Sequence, residues 1–274
     1  MAGHDAATSF ETKWSAVYPE LALGLRFVNP AQRAARSALA CIGCEIAHAA
    51  FRVREPQVAA TKLQWWADEL GGLPRGHARH PLTQLLAAHA PVAELAESLW
   101  QQWPAAALIQ REAQPASTLD ALLEGYLGFE RIPVTLEARL FGDRAVEVSA
   151  RARMLTRALH ETILLEDALG NGRLAVPLDL LARFQLARGN LAVDSAERNA
   201  ALRAQFGTLA RMLGDCASAL RSPLVIAATQ ADARRSLRAA RASQPLHVAA
   251  RERARIDLAT VWATWRGVRR MALP

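Results

Sequence analysis

The chain has 274 residues, 51% of them apolar, and a formal charge of +7. That apolar content excludes general disorder, and the length is ample for a substantial buried core. The positive charge is spread along the chain and mixed with acids, so it forms no aromatic-interleaved basic stripe, and no nucleic-acid partner is expected.

Arginine supplies nearly all of that charge, with Lys13 and Lys62 the only lysines and one denser run at Arg234, Arg235, Arg238 and Arg241. Heavy use of Arg and Ala is read first as genome composition and second as affinity for an anionic surface or phosphorylated ligand. Three cysteines make no disulfide framework, which fits a reducing compartment. The first fourteen residues lack the basic-then-apolar design of a leader, and the uncharged runs fall short of a membrane span. The expected location is the cytoplasm, with peripheral membrane contact as an additional expectation.

Apolar residues recur at helical spacing almost everywhere, and no alternating β-branched run marks a strand. Residues 1–19 read as an N-terminal extension and 20–274 as one all-α domain whose helices surround a shared interior. Helices are predicted near 31–52, 57–71, 81–88, 91–103, 118–141, 145–169, 177–186, 195–220, 223–242 and 246–270. Pro81, Pro91, Pro177 and Pro223 stand where a first helical turn begins. Ser117-Thr118 offers a cap, and Gly71-Gly72 and Gly189-Asn190 read as stops. Pro133, inside a helical pattern, is expected to kink or break it.

The chemistry concentrates in "LHETILLEDALGNGRLAVP", residues 159–177. On an ideal helix Val148, Ala152, Leu155, Leu159 and Ile163 form one stripe that contains Glu166. Asp167 falls at its edge, and Glu161 points nearly the other way. The expectation is therefore an inward Glu166, which needs a cationic partner, and an outward Glu161. No two of these acids stand three or four residues apart, as a pair sharing a metal from one helix should. The following Gly-Asn-Gly-Arg turn exposes amides, and Arg173 could grip phosphate oxygens.

Other clusters have plainer readings. Cys41, Cys44 and His48 share a helical face, but buried small residues explain the cysteines better than zinc does. Trp65 and Trp66 read as core aromatics before pocket walls. "VWATWRGVRR" sets Trp262 and Trp265 on one side among arginines; a closing core helix with a solvated face is the first reading and a membrane-surface contact the second. There is no Gly-x-Ser-x-Gly, P-loop or dinucleotide fingerprint.

Five segments in order resemble the squalene/phytoene synthase family. They are "ALACIGCEIAHAAF", "VAATKLQWWADELGGLPRGHARHPLTQLL", "LLEGYLGFERIPVTLEARLFG", "RALHETILLEDALGNGRLAVPLDLLARFQL" and "VWATWRGVRR". The resemblance spans roughly residues 20–270. It implies an isoprenoid-synthase fold in which two Asp-rich motifs face each other across an apolar cavity and bind Mg2+ and prenyl diphosphates. A leaving diphosphate needs divalent ions, and hard ions need carboxylate oxygens.

The motifs themselves are degraded. The first pair falls on or near Ala47, His48 and Phe51, with Glu45 the only acid on that helix. The second falls on Leu164 and Ala168, or on Ile163 and Asp167 if the turn gains a residue. Trp65, Trp66, Tyr126, Arg173 and Pro177 do match. The resemblance thus implies a member with little or no prenyl transfer, keeping a cavity for an isoprenoid or other lipid or serving as an assembly or scaffold partner. The alternative is an active Mg2+-dependent prenyltransferase, a transferase of isoprenoid biosynthesis. It would use Glu166 and Asp167 catalytically, Glu45, Glu161, Glu166 and Asp167 for metal, and Arg173 for diphosphate. His48, Trp65, Trp66, Tyr126 and His160 would then line its pocket. A basic nucleic-acid-binding helical module is the remaining alternative.

Overall fold

Proline and short polar caps set most helix starts. In the computed structural model, which describes residues 2–271, Pro occupies the first turn of α2 (Pro19–Leu25), α3 (Pro30–Phe51), α4 (Pro56–Gly71) and α5 (Pro81–Ala87). It does so again in α12 (Pro223–Ala240) and α13 (Pro245–Glu252), where its missing amide costs no helical hydrogen bond. Side chains cap starts as well. Asn29 accepts from the Ala31 amide before α3, Thr118 from Ala121 before α7 (Leu119–Phe141), and Ser195 from Arg198 before α11 (Ala196–Cys216). The remaining helices are α1 (Ala2–Val17), α6 (Glu97–Arg111), α8 (Val146–Ile163), α9 (Leu165–Gly170), α10 (Leu178–Arg183) and α14 (Leu258–Met271). No strand occurs among the described residues, as the all-α expectation requires.

Several boundaries differ from the sequence expectation. Pro133 does not break its helix: α7 runs unbroken from Leu119 to Phe141. The buried neighbours Phe129, Ile132, Val134 and Leu136 hold it in place, and their packing offsets the roughly 3 kcal/mol that an interior proline costs. The segment 145–169 is two helices, because Leu164 leaves the helical region (φ −100°, ψ 38°) between α8 and α9. The segment 246–270 is likewise split into α13 and α14. Residues 2–17, for which no helix was predicted, form α1, whose Ala7 and Trp14 are buried against the core.

The interior has two apolar clusters. Residues of α1, α3, α4, α5, α6 and α7 make the first, including Ile42, Trp66, Trp100, Trp103 and Phe129. The second is built mainly from α8, α11 and α12, including Leu155, Leu159, Phe206 and Ile226. A cavity of about 190 Å³ lies where the two meet, walled by α2, α3, α6, α7, α8 and α12. Its apolar lining includes Leu21, Leu39, Trp103, Phe129 and Val225. Gly43 matters here, since a Cβ on it would stand 2.9 Å from the Trp103 ring. Without a side chain at Gly43, the indole closes over α3 and narrows the cavity.

Candidate functional site: a central cavity with an arginine–carboxylate belt

Helix α8 presents Arg153, Arg157 and His160 to the cavity, spaced one helical turn apart so that they share a face. Helix α7 answers with Glu130 and Glu137, two turns apart. Arg153 Nε donates to Glu130 at 3.1 Å and Nη1 lies 3.7 Å from Glu137; Arg157 Nη1 lies 4.0 Å from Glu130. Burial pushes the Glu137 carboxyl up to about 6, although Arg153 pulls it down. An acid raised in this way favours the fold while protonated and loses that contribution as pH climbs from 4.5 through about 6. Glu137→Gln should therefore match the parent below pH 4.5. Above pH 6 it should be more stable by about 2 kcal/mol, as urea midpoints across pH will show.

Glu161 is the centre of the next layer. It is buried, accepting from Arg157 Nε at 2.7 Å, from Arg173 Nη1 and from the Tyr126 hydroxyl at 3.3 Å. Burial pushes this carboxyl upward, but the Arg157 and Arg173 guanidiniums prevail and hold it below the usual range. Arg157 lies flat on the Phe51 ring, 3.6 Å from its centroid, and Arg173 also donates to the Phe51 carbonyl at 3.1 Å. Arg157 Nη2 and Arg173 Nε are buried without a hydrogen-bond partner.

A second buried network closes the cavity from α12. Asp232 meets His160 Nε2 at 3.2 Å and Arg235, and Arg235 lies 3.5 Å from Glu20 of α2. Tyr18 stacks on His160 with ring centroids 5.3 Å apart. Burial and the neighbouring Asp232 push the Glu20 carboxyl up. For Asp232, burial also acts upward, but His160 and Arg235 outweigh it and hold that carboxyl low.

The sequence-predicted residues are therefore dispersed. Glu161 is buried and Glu166 exposed, the reverse of the helical-wheel expectation: the last turn of α8, 158–163, is buried on every side and takes Glu161 inward, while the break at Leu164 resets the phase before Glu166. Glu166 and exposed Asp167 line an open depression of about 440 Å³ with Asp194, Arg198 and His247. Asp167 lies 3.5 Å from Arg52. Glu45 pairs with Lys13 at 2.6 Å and accepts from the Trp14 indole at 2.9 Å. Arg173 is spent on Glu161. Tyr126 lines a small side pocket beside Glu161, and His48 a second one with Tyr18, Arg52 and Arg157. Trp65 and Trp66 pack on His80, away from the cavity lining, which instead draws Trp103 from α6. Of the predicted pocket residues, His160 alone lines the central cavity.

These carboxylates do not fit a magnesium–diphosphate cluster. Such a cluster needs hard oxygens converging on open, hydrated space. Glu45, Glu161, Glu166 and Asp167 point into three different environments. Among the described residues, the only three metal-capable side chains with ligand atoms within 4.8 Å are Glu20, His160 and Asp232. There Arg235 already supplies the cation. Cys41 and Cys216 lie in separate apolar clusters, and burial pushes the Cys41 thiol up to about 12. Cys44, in contrast, is half-buried and lines the central cavity.

Arg153, Arg157, Glu130, Glu137, Asp232 and Arg235 were missed from sequence. Their i, i+4, i+7 and i, i+3 spacings were visible, but on surface helices the same spacings mark solvated ion pairs.

No sequence family and no curated protein matches the chain. Solved structures do. Squalene synthase HpnC from Alicyclobacillus acidocaldarius superposes with a TM-score of 0.63 at 12% identity, over 86% of this chain and 91% of that one. A dehydrosqualene synthase crystallised with a ligand gives 0.68 at 10% identity, over 99% and 96%. The chain has an all-α, isoprenoid-synthase-type fold. More narrowly, that fold is squalene/phytoene synthase-like, as the ordered motifs implied.

Proposed function

We propose that this chain is a member of the squalene/phytoene synthase family that binds an isoprenoid or similar apolar lipid in its central cavity without magnesium-dependent prenyl transfer. On this reading it acts through the bound lipid or as an assembly or scaffold partner. The observation that carries it is the polar end of the cavity. Each acid lining it is matched by an arginine, Glu130 and Glu137 by Arg153 and Glu20 by Arg235, and behind them Glu161 is held by Arg157 and Arg173 and Asp232 by Arg235. A carboxylate already held by guanidinium hydrogen bonds gives up that pairing to bind a hydrated divalent ion, at a cost of several kcal/mol. The volume supports the same reading. About 190 Å³ admits one short apolar chain and lies below the roughly 300–1,000 Å³ of ordinary small-molecule sites.

Thermal unfolding with farnesyl diphosphate or farnesol, each with and without Mg2+, tests this. The expected result is stabilisation by both ligands that is indifferent to Mg2+ and retained in Glu166→Ala and Asp167→Ala. A shift that requires Mg2+ and vanishes in those variants would overturn the proposal in favour of an active prenyltransferase.

A further inference from the structure

Helix α14 turns Leu258 and Trp262 outward, while Val268 and Met271 pack on the second apolar cluster. Thr260, Ala263 and Thr264 are buried, while Gly267 stands so close to α12 that a Cβ would meet Ile226 at 2.8 Å. The opposite face carries Leu258, 86% exposed, and Trp262, 56% exposed and stacked on Trp265 with centroids 4.7 Å apart. A helix that merely closes a core does the reverse, burying indole and leaving Thr in water. Leu258, Val261, Trp262 and Trp265 follow one helical stripe.

Charge surrounds that stripe. Helix α14 contains no acid, and Arg266, Arg269 and Arg270 lie at its far end, Arg269 resting over the Trp265 ring at 4.5 Å. Exposed Arg251 and Arg255 precede it. The nearby acids Glu252 and Asp257 are both engaged by Arg238 of α12. Among the described residues no helix is long and apolar enough to cross a membrane. An outward Trp–Leu stripe bounded by arginines matches the interfacial zone of an anionic bilayer, where indoles sit at headgroup depth and guanidiniums meet phosphates.

We propose that α14 docks the protein peripherally on anionic lipid surfaces through Leu258, Trp262 and Trp265, with Arg266, Arg269 and Arg270 binding headgroup phosphates. This goes beyond lipid capture in the cavity and does not depend on it.

The test is co-sedimentation of the full chain with phosphatidylcholine vesicles, with and without phosphatidylglycerol, alongside tryptophan quenching by brominated lipid. Binding should require phosphatidylglycerol and weaken with salt. It should fall at least about tenfold in Trp262→Ser, and in Arg269→Glu with Arg270→Glu, all exposed positions whose Tm should not move. Bromolipid quenching should drop in Trp262→Phe while binding persists. Equal binding to both vesicle types, or equal binding by the Trp262→Ser variant, would overturn the proposal. So would concentration-dependent dimerisation that Trp262→Ser abolishes in protein that ignores vesicles, because it would assign the stripe to a second copy of the chain.

Discussion

Glu161→Ala is expected to destabilise the protein by about 3–5 kcal/mol, whereas Glu166→Ala, five residues away, should stay within about 0.5 kcal/mol. Glu161 is the common acceptor for Arg157, Arg173 and Tyr126 in a buried site. Removing it leaves two buried guanidiniums whose desolvation is offset only by the 4.0 Å approach of Glu130 to Arg157, the Phe51 ring and the Phe51 carbonyl. Glu161→Gln keeps the shape and one acceptor oxygen but loses the charge, so its effect should fall between. Glu166 is exposed, and no salt bridge involving it occurs among the described residues. Urea denaturation of the three variants checks this. Equal, small effects at both positions would mean that the α8–α9 junction is not where the structure puts it.

Arg235→Leu should be comparably severe near neutrality, about 3–5 kcal/mol, and should recover in acid. Arg235 is the cation that Asp232 and Glu20 share, and both carboxylates are buried. In the parent, Asp232 is held low, so its contribution is present above its ordinary 3.8 and lost as pH falls through its lower folded value. Without Arg235, burial and mutual repulsion raise both carboxyls. The variant is then favoured where they are protonated and weakens as pH rises through the raised values. Measured near pH 7 and again near about pH 5, the gap between variant and parent should narrow on acidification. A gap independent of pH would mean that Arg235 acts through packing alone.

The two variants probe the same design from opposite sides. The polar side of the cavity is built from arginine–carboxylate pairs. A buried pair of this kind adds little net stability over apolar residues, yet becomes expensive when halved. The belt therefore fixes α7, α8 and α12 in register around the cavity, and a ligand entering it meets ion-paired groups together with Arg157 Nη2 and Glu20 Oε2, which no hydrogen bond engages.

Much of this was legible in the chain. Helical periodicity, proline-led first turns and capping residues specify the all-α fold, because they act over one or two turns and need no tertiary partner. The order of the motifs was legible too, and the resemblance puts either Leu164 and Ala168 or Ile163 and Asp167 where the aspartates of the second motif would stand. The direction in which Glu161 and Glu166 point was not. Glu161 lies inward because the whole last turn of α8 is buried, and Glu166 outward because Leu164, with a ψ of 38°, ends one helix and restarts another; no local signal marks either. The exposure of Trp262 was also beyond the sequence, since a stripe of tryptophans reads equally well as core or surface.

By itself, then, the sequence determined most of the helices and their order, consequences of local spacing and residue type. Only the tertiary structure decided which acids meet arginines, where the cavity narrows over Gly43 and which face of α14 looks outward. Some of those partners are near in sequence, as Arg157 and Glu161 four residues apart, but others are far, as in the His160–Asp232 contact across 72 positions. Charge pairing and burial are properties of that long-range packing, and helical phase carries no information about it.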